Sequence, residues 1–412
     1  MNTGKLLDVI SLGLIQGVEY VFPLLVIPFL IKKIGIDGYG EIAFLQAIGF
    51  FLLIFVDYGF SLCALKLVSA NKSLVRNSSI YSSVQAVKII FLMICAILIF
   101  SASHLIEKKI EVNLLLSLII PLGSLLNPQW YFIGSGNIKK TSVVIIFAKF
   151  LLIASIFFLV DNKSDIYLAA ILLMLPNSVG GLFATLACVF GKKLILVRPS
   201  AKVAKIVLKN STPIFFATVS SSIYRMTNPI VVGFLSSATD VAIYSIAEKI
   251  VKAAQEISRP VSQVVYRDVS LIAKKSPSEA KIFLKRKGYF IFIPAALSSV
   301  AVYVFSPEIS KFFYAHESEL VSGALKIMAV CPLIGSLNLL LGSVYMIPCG
   351  YSKEFAKFVF LTGLFGLTVV FPAVHIFGYI GAAFSYLGSE LFLLMVLIFF
   401  HAKNKLLISV GK

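Results

Sequence analysis

Between Phe358 and Ser389 the chain runs for 32 residues without an Asp, Glu, Lys or Arg, and Ile166 to Gly191 forms a second charge-free window of 26. A helix that crosses the hydrocarbon core of a bilayer needs about 20 consecutive apolar residues. Windows of this length exclude a soluble globule. The whole chain agrees: of 412 residues 59% are apolar and 14% charged, against about 25% charged in an ordinary soluble domain. Roughly 243 apolar residues suffice for about twelve spans. A transmembrane β-barrel would alternate apolar and polar residues with a period of two, whereas Ile89–Phe100 is apolar on every face. The expected fold class is therefore an all-α polytopic membrane protein with about twelve transmembrane helices.

Apolar runs between charged or Gly/Pro-rich breaks place spans near 9–31, 42–65, 79–101, 112–134, 141–160, 166–190, 209–235, 241–266, 289–305, 321–348, 355–375 and 379–401. The first lacks a small-residue cleavage motif and is expected to be retained rather than removed as a signal peptide. Of the 37 Lys and Arg residues, 24 fall in one set of alternate loops and only six in the other. The excess of positive charge on cytoplasmic loops places the first set, and with it both termini, inside. Topology thus accounts for most of the net charge of +18 without nucleic acid, whose binding loops would also carry stacking aromatics. The outside loops are short, which leaves no room for an extracytoplasmic catalytic domain. Cys63, Cys95, Cys188, Cys331 and Cys349 have no paired spacing and read as packing residues rather than disulfides or zinc ligands.

A basic stretch with Pro199, from Gly191 to Lys209, divides the spans six and six and reads as a linker between lobes 1–200 and 201–412. A weak echo joins the halves: Gly40-Glu-Ile-Ala-Phe-Leu-Gln46-Ala-Ile48 overlays Ala242-Ile-Tyr-Ser-Ile-Ala-Glu248-Lys-Ile250. Two halves with even span counts have the same orientation, the parallel-repeat arrangement of several transporters.

Ionisable groups near the bilayer centre cost about 2.5–3.5 kcal/mol each, so those that persist face a cavity or a partner. Twelve remain within the spans: Lys88, Lys149, Arg225, Lys249, Lys252, Arg259 and Lys326, with Glu19, Asp57, Glu248, Glu256 and Glu390. In the eighth span Glu248, Lys252, Glu256, Arg259 and Gln263 fall on one helical face. Two readings of that stripe stay open, a polar cavity wall and pairs that neutralise one another at i,i+4 and i,i+3 spacing. Arg225, followed by Asn228 and Pro229, and Lys88, near mid-span, have no local acid and read as cavity cations. Glu19 lies between Gln16 and Pro23 in a polar, kinkable first helix. Asp57 reads equally as a loop-contacting carboxylate. Lys149, Lys326 and Glu390 are expected to be partners between bundles. The four histidines lack metal-ligand spacing, and no nucleophile, phosphate-loop or H-E-x-x-H pattern occurs, so neither enzyme chemistry nor a metal or cofactor is expected.

Gln16-Gly-x-x-Tyr20-x-x-Pro23-x-x-x-x-Pro28-Phe-Leu, Gly38-Tyr-Gly40, Asp57-Tyr-Gly-Phe60 and Pro128-Gln-Trp130-Tyr-Phe-x-Gly134 resemble Wzx-type O-antigen flippases, the polysaccharide-transport branch of the MOP exporter superfamily. The resemblance continues through Ser221-Ser-Ile-Tyr224, Val232-Gly-Phe234 and Pro260-Val-Ser-Gln-Val-Val-Tyr266. It implies two six-helix lobes about a central cationic cavity in the bacterial inner membrane. The implied task is to move undecaprenyl-diphosphate-linked O units from the cytoplasmic to the periplasmic leaflet by alternating access. On this reading Arg225, Lys252, Lys88, Lys249 and Arg259 hold the diphosphate. Glu19, Asp57, Glu248 and Glu256 are cavity or coupling carboxylates, with H+ or Na+ as candidate coupling ions and membrane lipids and polysaccharide-assembly proteins as candidate partners. A multidrug exporter of the same superfamily would favour a net acidic cavity, and a membrane-embedded polymerase would carry a long outside loop. Both remain alternatives of lower rank.

Overall fold

The computed structural model describes residues 3–105, 113–314, 318–404 and 406, with side chains described from 24 onward except at 104, 105, 139, 140, 221 and 223–225. Among these residues every regular element is helical. They are α1 (Thr3–Asp57), α2 (Phe60–Ser69), α3 (Leu74–Leu105), α4 (Ile119–Leu126), α5 (Gln129–Gly134), α6 (Ile138–Leu159), α7 (Ile166–Met174), α8 (Pro176–Phe190) and α9 (Ala201–Leu235). There follow α10 (Ala238–Glu256), α11 (Arg259–Ala273), α12 (Pro277–Lys287), α13 (Tyr289–Val304), α14 (Ser306–Phe313), α15 (Ser318–Met328), α16 (Cys331–Asn338), a π-helical segment (Leu339–Met346) and α17 (Ser352–Lys403). Packing divides the chain into two compact units, Met1–Val219 and Ser220–Lys412.

Among the described residues seven helices are long and apolar enough to cross a membrane. Two of the longest contain a backbone break at a glycine, Gly35 (φ 82°) in α1 and Gly378 (φ 55°) in α17. Each break lies where the sequence separates two spans, the first from the second and the eleventh from the twelfth. Large apolar side chains stay uncovered, with Ile97 and Leu98 of α3 and Phe158 of α6 61–81% exposed. In water such a surface would aggregate. In a bilayer it faces acyl chains, and the chain is a multi-pass helical membrane protein.

In the first unit the aromatic motifs form the core. Phe60, Tyr81, Trp130, Tyr131 and Phe132 are buried together with Val207 of α9. The Asp57-Tyr-Gly-Phe60 motif is a left-handed turn: Tyr58 and Gly59 have φ of 46° and 75°, a region costly for a residue with a Cβ. The turn ends α1, starts α2 and stacks Tyr58 on Phe215 at 4.3 Å. The basic stretch after α8 is not a free tether. Ile195 and Ser200 donate their backbone N–H groups to Ser78 and Ser83 of α3, and residues from Ala201 onward are already helix α9.

In the second unit Val265, Leu284, Ile291, Tyr345, Met346 and Leu397 form the core. Ile257 and Ser258 interrupt the eighth span, so its polar stripe is shared between α10 and α11. The tenth span contains the π-helical segment, and buried His401 hydrogen-bonds the Leu341 oxygen within it at 3.0 Å. Four cysteines are buried, Cys349 is half-buried, and all five are free.

Candidate functional site

In the first unit a charged knot ties four helices. Asp57 is the last residue of α1, because the left-handed turn stops the helix there. Its Oδ1 accepts from Ser61 Oγ of α2 at 2.6 Å and from Lys88 Nζ of α3 at 2.9 Å. Lys88 also donates to Ser124 Oγ of α4 at 2.9 Å. Lys88 is 1% exposed, so its ammonium has exchanged water for this carboxylate and hydroxyl, the condition under which a buried charge is tolerated. Lys88 lacks an acid on its own helix, but not in the fold.

Beside the knot lies a cavity of about 200 Å³, its polar lining made by Gln46, Ser124, Asn127, Gln129, Lys149 and Asn177. The local fold explains it. Pro128 follows Asn127, and a residue before proline is driven out of the α region; Asn127 has φ −112° and ψ 78°, which separates α4 from α5. Helix α8 packs against this break at Gly181, where a Cβ would lie 2.2 Å from that of Asn127. The loosened carbonyls of Leu125 and Leu126 accept from Gln85 and Thr185. Broken helices of this kind occur in membranes where the freed backbone groups find partners or line a cavity.

In the second unit the stripe on α10 and α11 forms the pairs that helical spacing allows. Lys252 bonds Glu248 at 3.0 Å, and Arg259 bonds Glu256 at 2.8 Å. The first pair is the deeper: Glu248 is buried and stands beside Tyr244, whose hydroxyl accepts from Asn228 at 3.0 Å. Arg259 is 47% exposed, and Lys249 is half-buried on α10. Gln255 continues the polar line by donating to the Cys331 carbonyl and accepting from Tyr386. Glu390 of α17 is 1% exposed and takes an amide hydrogen bond from Asn338 at 2.8 Å.

The structure therefore brings together Asp57 with Lys88, Glu248 with Lys252, and Glu256 with Arg259. Lys149 is buried at the cavity, whereas Lys326 is exposed at the end of α15. The side chains of Glu19 and Arg225 lie outside the described residues. Sequence reasoning missed Ser61, Ser124, Asn127, Gln129, Asn177 and Asn338. Their signal was available as polar side chains inside apolar spans, but a search for charges passes over them. One loop outside the spans is also well defined. The backbone N–H groups of Asp161 and Asn162 bond Asp165 and hold its carboxyl below the usual range, while Lys33 pairs with Asp161 at 2.9 Å.

Apolar helices, several of them broken, around buried ion pairs and a polar cavity are the build of a multi-pass helical membrane protein. The chain belongs to the polysaccharide biosynthesis protein family, which matches residues 6–266. It is 28% identical, over 99% of this chain and all of the relative, to the "Putative O-antigen transporter" of Escherichia coli (strain K12). A protein of the same description from Shigella dysenteriae is 26% identical over 95% of this chain and 98% of its own. Two solved structures share the fold at low identity. The lipid II flippase MurJ in an inward closed conformation has a TM-score of 0.68 at 16% identity, covering 96% of this chain and 87% of that one. An inward-facing multidrug resistance MATE transporter of the MOP superfamily has a TM-score of 0.66 at 15% identity, covering 94% and 99%.

Proposed function

We propose that this protein moves undecaprenyl-diphosphate-linked polysaccharide repeat units, of the O-antigen type, from the cytoplasmic to the periplasmic leaflet of a bacterial inner membrane. The observation that carries the reading is the full-length likeness to relatives named as O-antigen transporters. The lobes 1–200 and 201–412 alternate access, and both termini are cytoplasmic.

A bare diphosphate in the bilayer core would carry a large desolvation cost. Lys and Arg side chains lower that cost by replacing its hydration with charge-assisted hydrogen bonds. Arg225, Lys252, Lys88, Lys249 and Arg259 take this role. Lys88 and Lys252 rest on Asp57 and Glu248 until phosphate oxygens replace those carboxylates. Glu19, Asp57, Glu248 and Glu256 are the cavity or coupling carboxylates, with H+ or Na+ as the coupling ion. Outward movement of negative charge is favoured by an inside-negative potential at about 2.3 kcal/mol per charge per 100 mV. The prenyl tail stays in lipid, and polysaccharide-assembly proteins receive the product.

A deletion strain tests the reading. Lipid-linked oligosaccharide is expected to accumulate while surface polysaccharide is lost, and mass analysis of the accumulated glycan identifies the repeat unit. Unchanged surface polysaccharide in the deletion strain overturns it.

A further inference from the structure

The cavity of the first unit has a chemistry of its own. Gln46, Asn127, Gln129 and Asn177 line it with four carboxamides, alongside the hydroxyl of Ser124 and the ammonium of Lys149. Polar groups so placed in an apolar bundle are costly unless a partner satisfies them. A carboxamide both donates and accepts, which matches sugar hydroxyls, each of which also does both. The lining includes no carboxylate and does include the Lys149 ammonium, which disfavours a cation there. Phe50, Ile120 and Met174 supply an apolar side to the same space, suited to the C–H face of a pyranose ring.

One residue of this lining carries an atom without its complement. Asn127 Oδ1 is buried and has no hydrogen-bond partner, an arrangement uncommon enough in folded proteins to call for an explanation. Asn127 is held by the Pro128 break and by α8 at Gly181, so this acceptor is fixed in place before anything binds. At about 200 Å³ the space is below the roughly 300–1,000 Å³ of sites that enclose a drug-sized ligand. It suits one ring rather than a whole oligosaccharide. Ser124 both lines the cavity and bonds Lys88, which sets this space next to a cation of the proposed diphosphate site.

The geometry points to this cavity as a glycan subsite: it takes one sugar ring of the lipid-linked oligosaccharide, adjacent to the diphosphate, with a ring hydroxyl donating to Asn127 Oδ1. The inference rests on the transport reading above but is separable from it. The full-length protein in lipid nanodiscs is titrated with two probes, undecaprenyl diphosphate and the same lipid carrying an N-acetylglucosamine-containing disaccharide. Trp130, the single tryptophan of the chain and the neighbour of Gln129, reports binding by its fluorescence. The wild type is expected to bind the glycosylated lipid at least threefold more tightly than the bare one. Asn127→Ala and Gln129→Ala are each expected to lose that increment and keep the affinity for bare diphosphate, and the second variant preserves the test if the first fails to fold. The subsite is overturned if the variants keep the increment, or if they lose affinity for both lipids equally. Equal binding of both lipids by the wild type sinks the subsite and leaves the transport reading intact. Binding of neither sinks both.

Discussion

Asp57 and Lys88 are 31 positions apart and on different helices, yet their charged atoms meet at 2.9 Å, with Lys88 almost wholly buried. The pair closes the end of α1 onto α3, and Ser61 and Ser124 complete the coordination of both charges. Removing Asp57 strands the Lys88 ammonium in a dry interior, at a cost of about 3–5 kcal/mol, and removing Lys88 leaves the Asp57 carboxylate, 23% exposed, without its cation. Asp57→Asn and Lys88→Met are each expected to lower the thermal unfolding midpoint of the purified protein sharply. The double variant is expected to recover most of that loss while remaining defective in transport. Additive losses in the double variant would show that the two charges do not depend on each other.

A different relationship holds between Glu256 and Arg259. Arg259 is 47% exposed and Glu256 31%, and ion pairs that solvent reaches contribute about 0–1 kcal/mol. Glu256→Ala is expected to leave the unfolding midpoint within a degree or two of wild type. A transport defect in that variant at normal abundance would then report a role in transport rather than in folding. A large stability loss would contradict the exposure seen for this pair.

Pairs of these two kinds differ in how legible they are. Glu248 with Lys252 and Glu256 with Arg259 follow from helical spacing alone, because i,i+3 and i,i+4 neighbours share a face whatever the tertiary structure. Asp57 with Lys88 does not, since no periodicity says which faces of two helices meet. Apolar runs marked the spans, but not their interruptions. Pro128 was visible, yet the fourth span was read straight through it, and the consecutive positive φ values at Tyr58 and Gly59 are a product of packing against α9. The polar lining of the cavity escaped for a simpler reason. Carboxamides carry no charge, so a census of charges cannot find them.

The turn at Gly59 offers a test of that packing. A Cβ there would meet Ile214 at 2.8 Å, whereas at Gly136, which has nearly the same φ, it would meet nothing within 4 Å. Gly136→Ala therefore carries only the left-handed penalty of about 1–2 kcal/mol. Gly59→Ala carries that penalty and the clash, and is expected to be clearly the less stable in parallel melts. Equal midpoints would mean that α9 does not hold the turn.

Glu390 tests the other unit. Its carboxyl is buried against Asn338, whose amide nitrogen bonds both its side chain and its backbone oxygen. Asn338→Ala removes both bonds and is expected to cost about 1–3 kcal/mol. Glu390→Gln in that background is expected to return part of the loss, because the group left without its donor is then neutral. An Asn338→Ala variant as stable as wild type would rule out the amide as the support of this carboxyl.

Leaflet exchange in proteoliposomes measures transport of a lipid-linked oligosaccharide without a cellular background. The purified protein is reconstituted with fluorescent undecaprenyl-diphosphate-linked oligosaccharide, and the fraction reachable by a membrane-impermeant quencher is followed over time. Vesicles holding the wild type are expected to expose the inner-leaflet pool much faster than empty vesicles, and Arg225→Ala vesicles with equal protein content are expected to match the empty ones. Equal rates in wild-type and empty vesicles would contradict the account.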